Sequence, residues 1–328
     1  MIFGIGNEVT GLAVDCLNSN LTEESMKNGM NIIACGGLAG ILISLPVLFF
    51  ADRIYPIFYS SLKPIIGWIL LAVCAYMIWI ERGSKKLFAA IIFGLSGLLG
   101  LIIKNSGIVN SDYLLLPVFI GFYGFGSLLS KRQEKNELIG DMPLVDRIKN
   151  TVTAFSASLF ASLIPGMKKG QAAAIALQTG NILKREQILF ILPAISLSFV
   201  TLSIFVLNAT GSVRSTMAYD IQEIMGDLFV SQTVLFIGSV AIAACLSVCM
   251  LILLSKHLRI VLLKVNRKYL EIAGFCIGVA VVINFTGFYG ILISFTATSI
   301  SILSSRFRVR STHLMGVLLV SSIMAVMA

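Results

Sequence analysis

Charge is scarce in this sequence. Only 12% of its 328 residues are Asp, Glu, Lys or Arg, against roughly 25% in a soluble domain. The acids number 16, and they fall in loops or near the ends of apolar segments, with Glu81, Asp112, Glu186 and Glu271 at segment edges. A relay of intramembrane carboxylates is therefore not expected. Histidine is nearly absent, and the six cysteines contain no C-x-x-C pair. Cys245 and Cys249 share one helix face, but His257 and His313 are the only histidines in the chain, so neither a zinc site nor a disulfide framework is supported. No G-x-x-x-x-G-K-[ST] run occurs, which argues against a nucleotide-hydrolysing motor. No nucleophile, base and orienting group can be assembled, and the sequence calls for no enzyme and no cofactor. The first residues, "MIFGIGNEVTGLAVDCLNSNLTEESMKNG", carry Glu8 and Asp15 and lack the basic start of a signal peptide.

Hydrophobic residues, in contrast, make up 57% of the chain, and the mean hydropathy is +0.93. Long apolar runs separated by short polar gaps predict an all-α, polytopic integral membrane protein. A crossing needs about 20 apolar residues. By that measure nine transmembrane helices fall near 30–50, 64–81, 86–104, 113–130, 187–207, 229–255, 270–286, 288–304 and 313–328. Residues 1–29 read as an N-terminal cytoplasmic segment and 30–328 as a single transmembrane permease domain. Glycines at 36 and 40, at 94, 97 and 100, and at 121, 124 and 126 stripe three of these helices and predict close packing.

The net charge of +9 comes from Lys and Arg beside the ends of apolar segments, which points to a membrane rather than to nucleic acid. Four basic groups mark cytoplasmic loops: Arg82, Lys85 and Lys86; Lys131, Arg132, Lys135, Arg147 and Lys149 in the loop 131–150; Lys256, Arg259, Lys264, Arg267 and Lys268; and Arg306, Arg308 and Arg310. The connection 208–228 is net acidic, with Asp220, Glu223 and Asp227 against Arg214, and is expected outside. All four basic groups share one side only if 151–183 makes no net crossing. That segment is predicted to be a re-entrant helical hairpin. Its arms are about 14 residues each, roughly 21 Å of helix and short of the hydrocarbon thickness. Pro165 and Gly166 break the chain between them.

The break stands in "SLIPGMKKGQAAAIA", Ser162 to Ala176. Lys168 and Lys169 open the second arm, where the helix N-terminus already favours an anion. Such a tip can hold a carboxylate or phosphate inside a transporter. Gln171, Gln178, Thr179 and Asn181 add neutral hydrogen-bonding groups. Two plainer readings compete: two ordinary crossings with an external Lys-Lys turn, or lysines that merely snorkel. "INFTGFYG", Ile283 to Gly290, offers Asn284 and Thr286 as a candidate ion site or as a tight turn, and with no buried acid in view Na+ is expected over H+ as a coupling ion.

The Pro-Gly run, with Gln-Ala behind it, resembles the motif of the large membrane subunit of tripartite tricarboxylate transporters, the TctA/DUF112 family, in its archaeal-type branch. The ordered series "IYPIFYSSLKPIIGWILLAVCAYMI" (54–78), "IIFGLSGLLGLII" (91–103), "LLLPVFIGFYGFGSLLS" (114–130), "TGNILKREQILFILPAISL" (179–197) and "RVRSTHLMGVLLVSSIM" (308–324) is similar as well. The resemblance implies a permease of two related halves, each with a re-entrant Pro-Gly segment. It also implies a small membrane subunit and an extracytoplasmic solute receptor as partners. Pro165, Gly166, Gly170 and Gln171 match the family's second motif. No first-half Pro-Gly motif precedes residue 30, so the chain reads as lacking the N-terminal part of the pattern. Lys168 and Lys169 replace the small residues more usual after Pro-Gly, which implies either a more highly charged anion or a degenerate site.

The expected function is a secondary-transport permease in the cytoplasmic membrane for an organic anion of the di- or tricarboxylate class. The expected substrate-binding residues are Pro165, Gly166, Lys168, Lys169, Gly170, Gln171 and Asn181. The alternatives are a translocase-like protein for a polyprenyl-phosphate lipid carrier, which a basic tip would also suit, and a truncated, non-transporting membrane protein.

Overall fold

Without Cβ atoms two helices can bring their backbones into contact, and the first close pair in this chain does so. In the computed structural model, which describes residues 9–12, 23–50, 53, 55–57, 64–81, 83–107, 113–129, 139–180, 182, 184–226, 230–264 and 267–327, α1 (Glu23–Ser44) lies along α7 (Arg185–Thr210). A Cβ placed on Gly36 would collide with the Phe190 carbonyl, and one on Gly40 with the Ala194 carbonyl. Ser198 Oγ donates to Gly40 O at 2.7 Å and seals the contact. The predicted stripe at 36 and 40 is thus a backbone-to-backbone seam. The helix itself starts at Glu23 rather than at residue 30, and Val9 and Leu12 are already buried in the core.

The remaining helices are α2 (Ile66–Trp79), α3 (Lys85–Ser106), α4 (Leu116–Leu129), α5 (Leu144–Leu163), α6 (Lys169–Thr179), α8 (Thr216–Met225), α9 (Val230–Lys264), α10 (Arg267–Arg306) and α11 (Gly316–Met327). No strand occurs among the described residues. Five helices are long and apolar enough to cross a bilayer, and three shorter apolar ones, α2, α4 and the segment Ser311–Met324, pack with them. Many large apolar side chains, among them Trp68, Leu98, Leu235, Leu246 and Phe288, point outward. In water such a surface would be an aggregation liability; in lipid it is the solvent-facing side.

The two predicted crossings 270–286 and 288–304 both lie in α10, which departs from helical geometry at Gly287 (φ 66°, ψ −159°). The pairing with α4 shows that the chain reverses there. Phe125 meets Phe275 while Tyr113 meets Phe285, so the first limb runs antiparallel to α4. Ser294 bonds Pro117 O and Ser301 bonds Phe122 O, so the second limb runs parallel to it. Within α4 the stretch Ile120–Phe125 is a π-turn. Widening the helix frees carbonyls, and in an apolar surrounding these need donors. Ser294, Thr298 and Ser301 of α10 supply them, on Pro117, Gly121 and Phe122.

Two boundaries differ from expectation. The first hairpin arm starts at Leu144, well inside the predicted loop 131–150. It is 20 residues long, about 30 Å and not a short arm. Its early residues Asp146, Arg147 and Lys149 shorten the apparent apolar run, while Pro143 stands in extended geometry at the N-cap and marks the start. The acidic connection 208–228 also contains a helix, α8, with Ser215 as its N-cap accepting from the Ala218 N–H. Its one buried face is short, so no apolar run announced it.

Candidate functional site

The cavity is built on a chain reversal. Gly166 at the break has φ 79°, a left-handed conformation that only glycine adopts without strain. α5 and α6 lie on either side of it, and both leave it toward the same end of the bundle. The Gly140 N–H, just before α5, bonds Glu186 Oε1 at the start of α7, and Asn28 of α1 bonds Ile139 O. Near its other end α6 carries Gln178, whose amide donates to Met77 O and accepts from Thr312. Lys85, Lys184, Arg185, Arg306 and Arg310 gather at this basic end. The break itself sits beside Phe199 and Val200, roughly 21 Å along α7 from Arg185.

Two polar side chains hold the break shut. Gln171 Oε1 accepts from the Lys168 N–H at 2.8 Å, so the third residue of α6 reaches back to satisfy the residue that caps it. Ser322 of α11 donates to Gly166 O at 2.9 Å and accepts from Gln171 Nε2 at 3.0 Å. Gln171 is fully buried, so its amide holds the backbone and does not face the cavity. Gln171→Leu leaves the Lys168 N–H without that acceptor and is expected to cost about 1–3 kcal/mol, measured as a lower thermal midpoint in detergent.

A cavity of about 660 Å³ opens on the tip. Gly166, Met167, Lys168 and Lys169 line one wall. Val213, Arg214, Ser215, Thr216, Met217 and Tyr219, before and in α8, line the cavity as well. The chain after α7 folds back to reach it: Ser203 and Ser215 hydroxyls are 2.7 Å apart, which brings the start of α8 down beside the C-terminal third of α7. Two helix N-termini, those of α6 and α8, therefore face one cavity together with Lys168, Lys169 and Arg214. The Nε and Nη2 atoms of Arg214 are buried. Fixed N–H dipoles and cations arranged around a common space favour an anion carrying more than one negative charge.

Of the sequence-predicted residues, Gly166, Lys168 and Lys169 line this cavity. Pro165, Gly170 and Gln171 shape the break behind it, and Asn181 lies outside the described residues. Asn284 and Thr286 stand elsewhere, on α10; Asn284 is exposed, and Thr286 Oγ1 is spent on Val282 O of its own helix. Arg214, Ser215 and Thr216 were missed as site residues. Arg214 counted only as the single base of an acidic loop, yet the pattern of a base followed by a Ser N-cap was a legible sign of an anion-facing helix start.

The model of the tripartite tricarboxylate transporter TctA family matches residues 25–316. The chain belongs to that family. It is a multi-pass membrane protein of a transporter family, and the expectation drawn from the Pro-Gly run and the accompanying segments holds. An uncharacterized protein of Methanocaldococcus jannaschii is 25% identical over 298 residues, which cover 88% of this chain and 73% of that one. No solved structure matches.

At the basic end a second polar group is buried. Glu81 Oε1 is 3.2 Å from His313 Nε2 and 3.6 Å from Arg310 Nε. The hydrogen bond from His313 holds the Glu81 carboxyl below its ordinary range; burial opposes this, and the His313 and Arg310 charges and Gln178 add to the lowering. A carboxyl whose pKa falls on folding stabilises the fold fully above its unfolded value of about 4.3, and loses that contribution as pH drops through the lowered value. Thermal midpoints should therefore decline below about pH 4, and Glu81→Gln should flatten that acid limb. Glu81 stands at a segment edge, as expected, and the fold buries it there in protein.

Proposed function

We propose that this TctA-family chain is the permease subunit of a secondary transporter for an organic anion of the di- or tricarboxylate class. The observation that carries the reading is the convergence of Lys168, Lys169, Arg214 and the N-termini of α6 and α8 on one cavity. Positive potential from two segments suits a ligand with a carboxylate at each end. In the membrane the α5–α6 pair acts as a re-entrant hairpin entering from the cytoplasmic side, with the basic end of the bundle in the cytoplasm. The acidic outer face of α8, with Asp220 and Glu223, then faces the exterior. An ion gradient supplies the energy. As in other members of tripartite systems, a small membrane subunit and an extracytoplasmic solute receptor complete the machine.

A thermal-shift series on the purified, detergent-solubilised chain tests this, because a ligand that binds only the folded state raises the apparent stability. Citrate and succinate are expected to raise the midpoint, citrate more. Inorganic phosphate is expected to do so weakly. A rise with polyprenyl phosphate alone would replace the anion reading with a lipid-carrier one, and no rise with any of the four would overturn it.

A further inference from the structure

His313 is fully buried, and its Nδ1 has no hydrogen-bond partner. Its other nitrogen, Nε2, faces Glu81 Oε1. The arrangement suits one protonation state: a neutral imidazole with its proton on Nε2, donated to the carboxylate, and a bare lone pair on Nδ1. Uptake of a proton on that lone pair makes an imidazolium that keeps the bond to Glu81 but has a second N–H buried with nothing to accept it. Such a donor is costly until the packing around it moves.

The groups around this pair come from several elements. Glu81 follows α2; Arg310, which pairs with Glu81, precedes the 3-10 turn Ser311–Met315 that carries His313; α6 contributes Gln178, which bonds the Glu81 carboxylate; α3 contributes the Ser96 hydroxyl, which donates to His313 O. Glu81 and Arg310 are the charged groups of this cluster among the described residues. Gln178 ties this cluster to the hairpin. Its amide bonds Met77 O, Thr312 and the Glu81 carboxylate, and it is the penultimate residue of α6. The first residue of the same helix is Lys169, on the wall of the anion cavity. One rigid helix of 11 residues, about 16 Å long, thus spans from the buried imidazole to the cavity.

We infer that His313, paired with Glu81, is a proton-binding site coupled through α6 to the anion cavity, so that the ion moved with the substrate is H+. Its role in coupling rests on the anion-permease reading, whereas the proton site itself stands on the buried pair. The expectation of Na+ rested on the lack of a carboxylate deep in an apolar segment and on Asn284 and Thr286. Glu81 stands at a segment edge but is buried there in protein, while Asn284 is exposed and Thr286 bonds its own helix.

Hydrogen exchange of the α6 amides, followed by mass spectrometry on the protein in nanodiscs and corrected for intrinsic chemistry, tests the inference. The comparison is between about pH 8 and about pH 5.5. The wild type is expected to exchange about tenfold faster across 169–179 at the lower pH. His313→Gln retains an amide donor toward Glu81 but cannot titrate, and is expected to show no step. Glu81→Gln serves as a second variant and should shift the step. A wild type with equal protection at both pH values would overturn the proton site, as would a step that survives in His313→Gln. Citrate titrations run alongside separate the two ideas. A pH step without any citrate response sinks the anion reading alone, and a citrate response without a pH step sinks the proton site alone.

Discussion

Lys168→Ala/Lys169→Ala is expected to weaken citrate binding by about 100-fold, and Arg214→Ala by about tenfold or more. Each estimate follows from ~1.5–3 kcal/mol for a charged hydrogen bond and 1.4 kcal/mol per decade of affinity. The lysines and the arginine come from well-separated segments of the sequence, yet they line one cavity. If a dicarboxylate spans it, losing either group must hurt, and losing both must be worse than losing one. Arg214→Lys discriminates further, because lysine keeps the charge but loses the planar fork that grips a carboxylate at two points. Isothermal titration with citrate at low salt reads all of these, with the ligand-free melting midpoint as the folding control. Unchanged affinity in the double lysine variant would remove the tip from the site.

The second large effect concerns assembly. Gly36→Leu/Gly40→Leu is expected to lower the melting midpoint by about 10 °C or more, or to leave the chain aggregated in detergent. The obstacle at both positions is the backbone of α7, at Phe190 and Ala194, which cannot rotate away as a side chain would. Opening this seam would also detach Ser198 from Gly40 O and disturb the helix on which the hairpin leans, since Ser158 of α5 bonds Ile195 O. By contrast, Gly94→Leu meets open space and should be nearly silent, although it belongs to a similar-looking stripe. Size-exclusion profiles and thermal melts of the two variants decide the matter. Equal behaviour of both would mean that the seam is not the determinant.

That contrast also marks how far the sequence can be read. Gly36 and Gly40 are four residues apart and Gly94, Gly97 and Gly100 three apart, and both spacings stripe a helix face, but only placement of the partner helix shows that Gly97 and Gly100 meet Val320 and Val317 while Gly94 meets nothing. Gln171 likewise shows its structural partners only in the fold, where its buried amide bonds the Lys168 N–H and Ser322. Its amide was as able to bind a ligand as to hold Lys168, and the choice was made by Ser322, which lies 151 residues away.

Composition and local chemistry by themselves determined the membrane class, the helical architecture, the basic end of the bundle and the broken hairpin at Pro165 and Gly166. Each follows from short-range physics: hydrocarbon admits only satisfied backbone, positive charge stays at one face, and Pro-Gly cannot continue a helix. The tertiary structure alone decided which polar groups meet. It brought Arg214 and the start of α8 back to the hairpin tip, turned α10 around at Gly287, and sealed Glu81 against His313 across 232 residues. These encounters depend on where whole helices dock, which is set by the sum of many weak contacts along their lengths. No single stretch of residues carries that information.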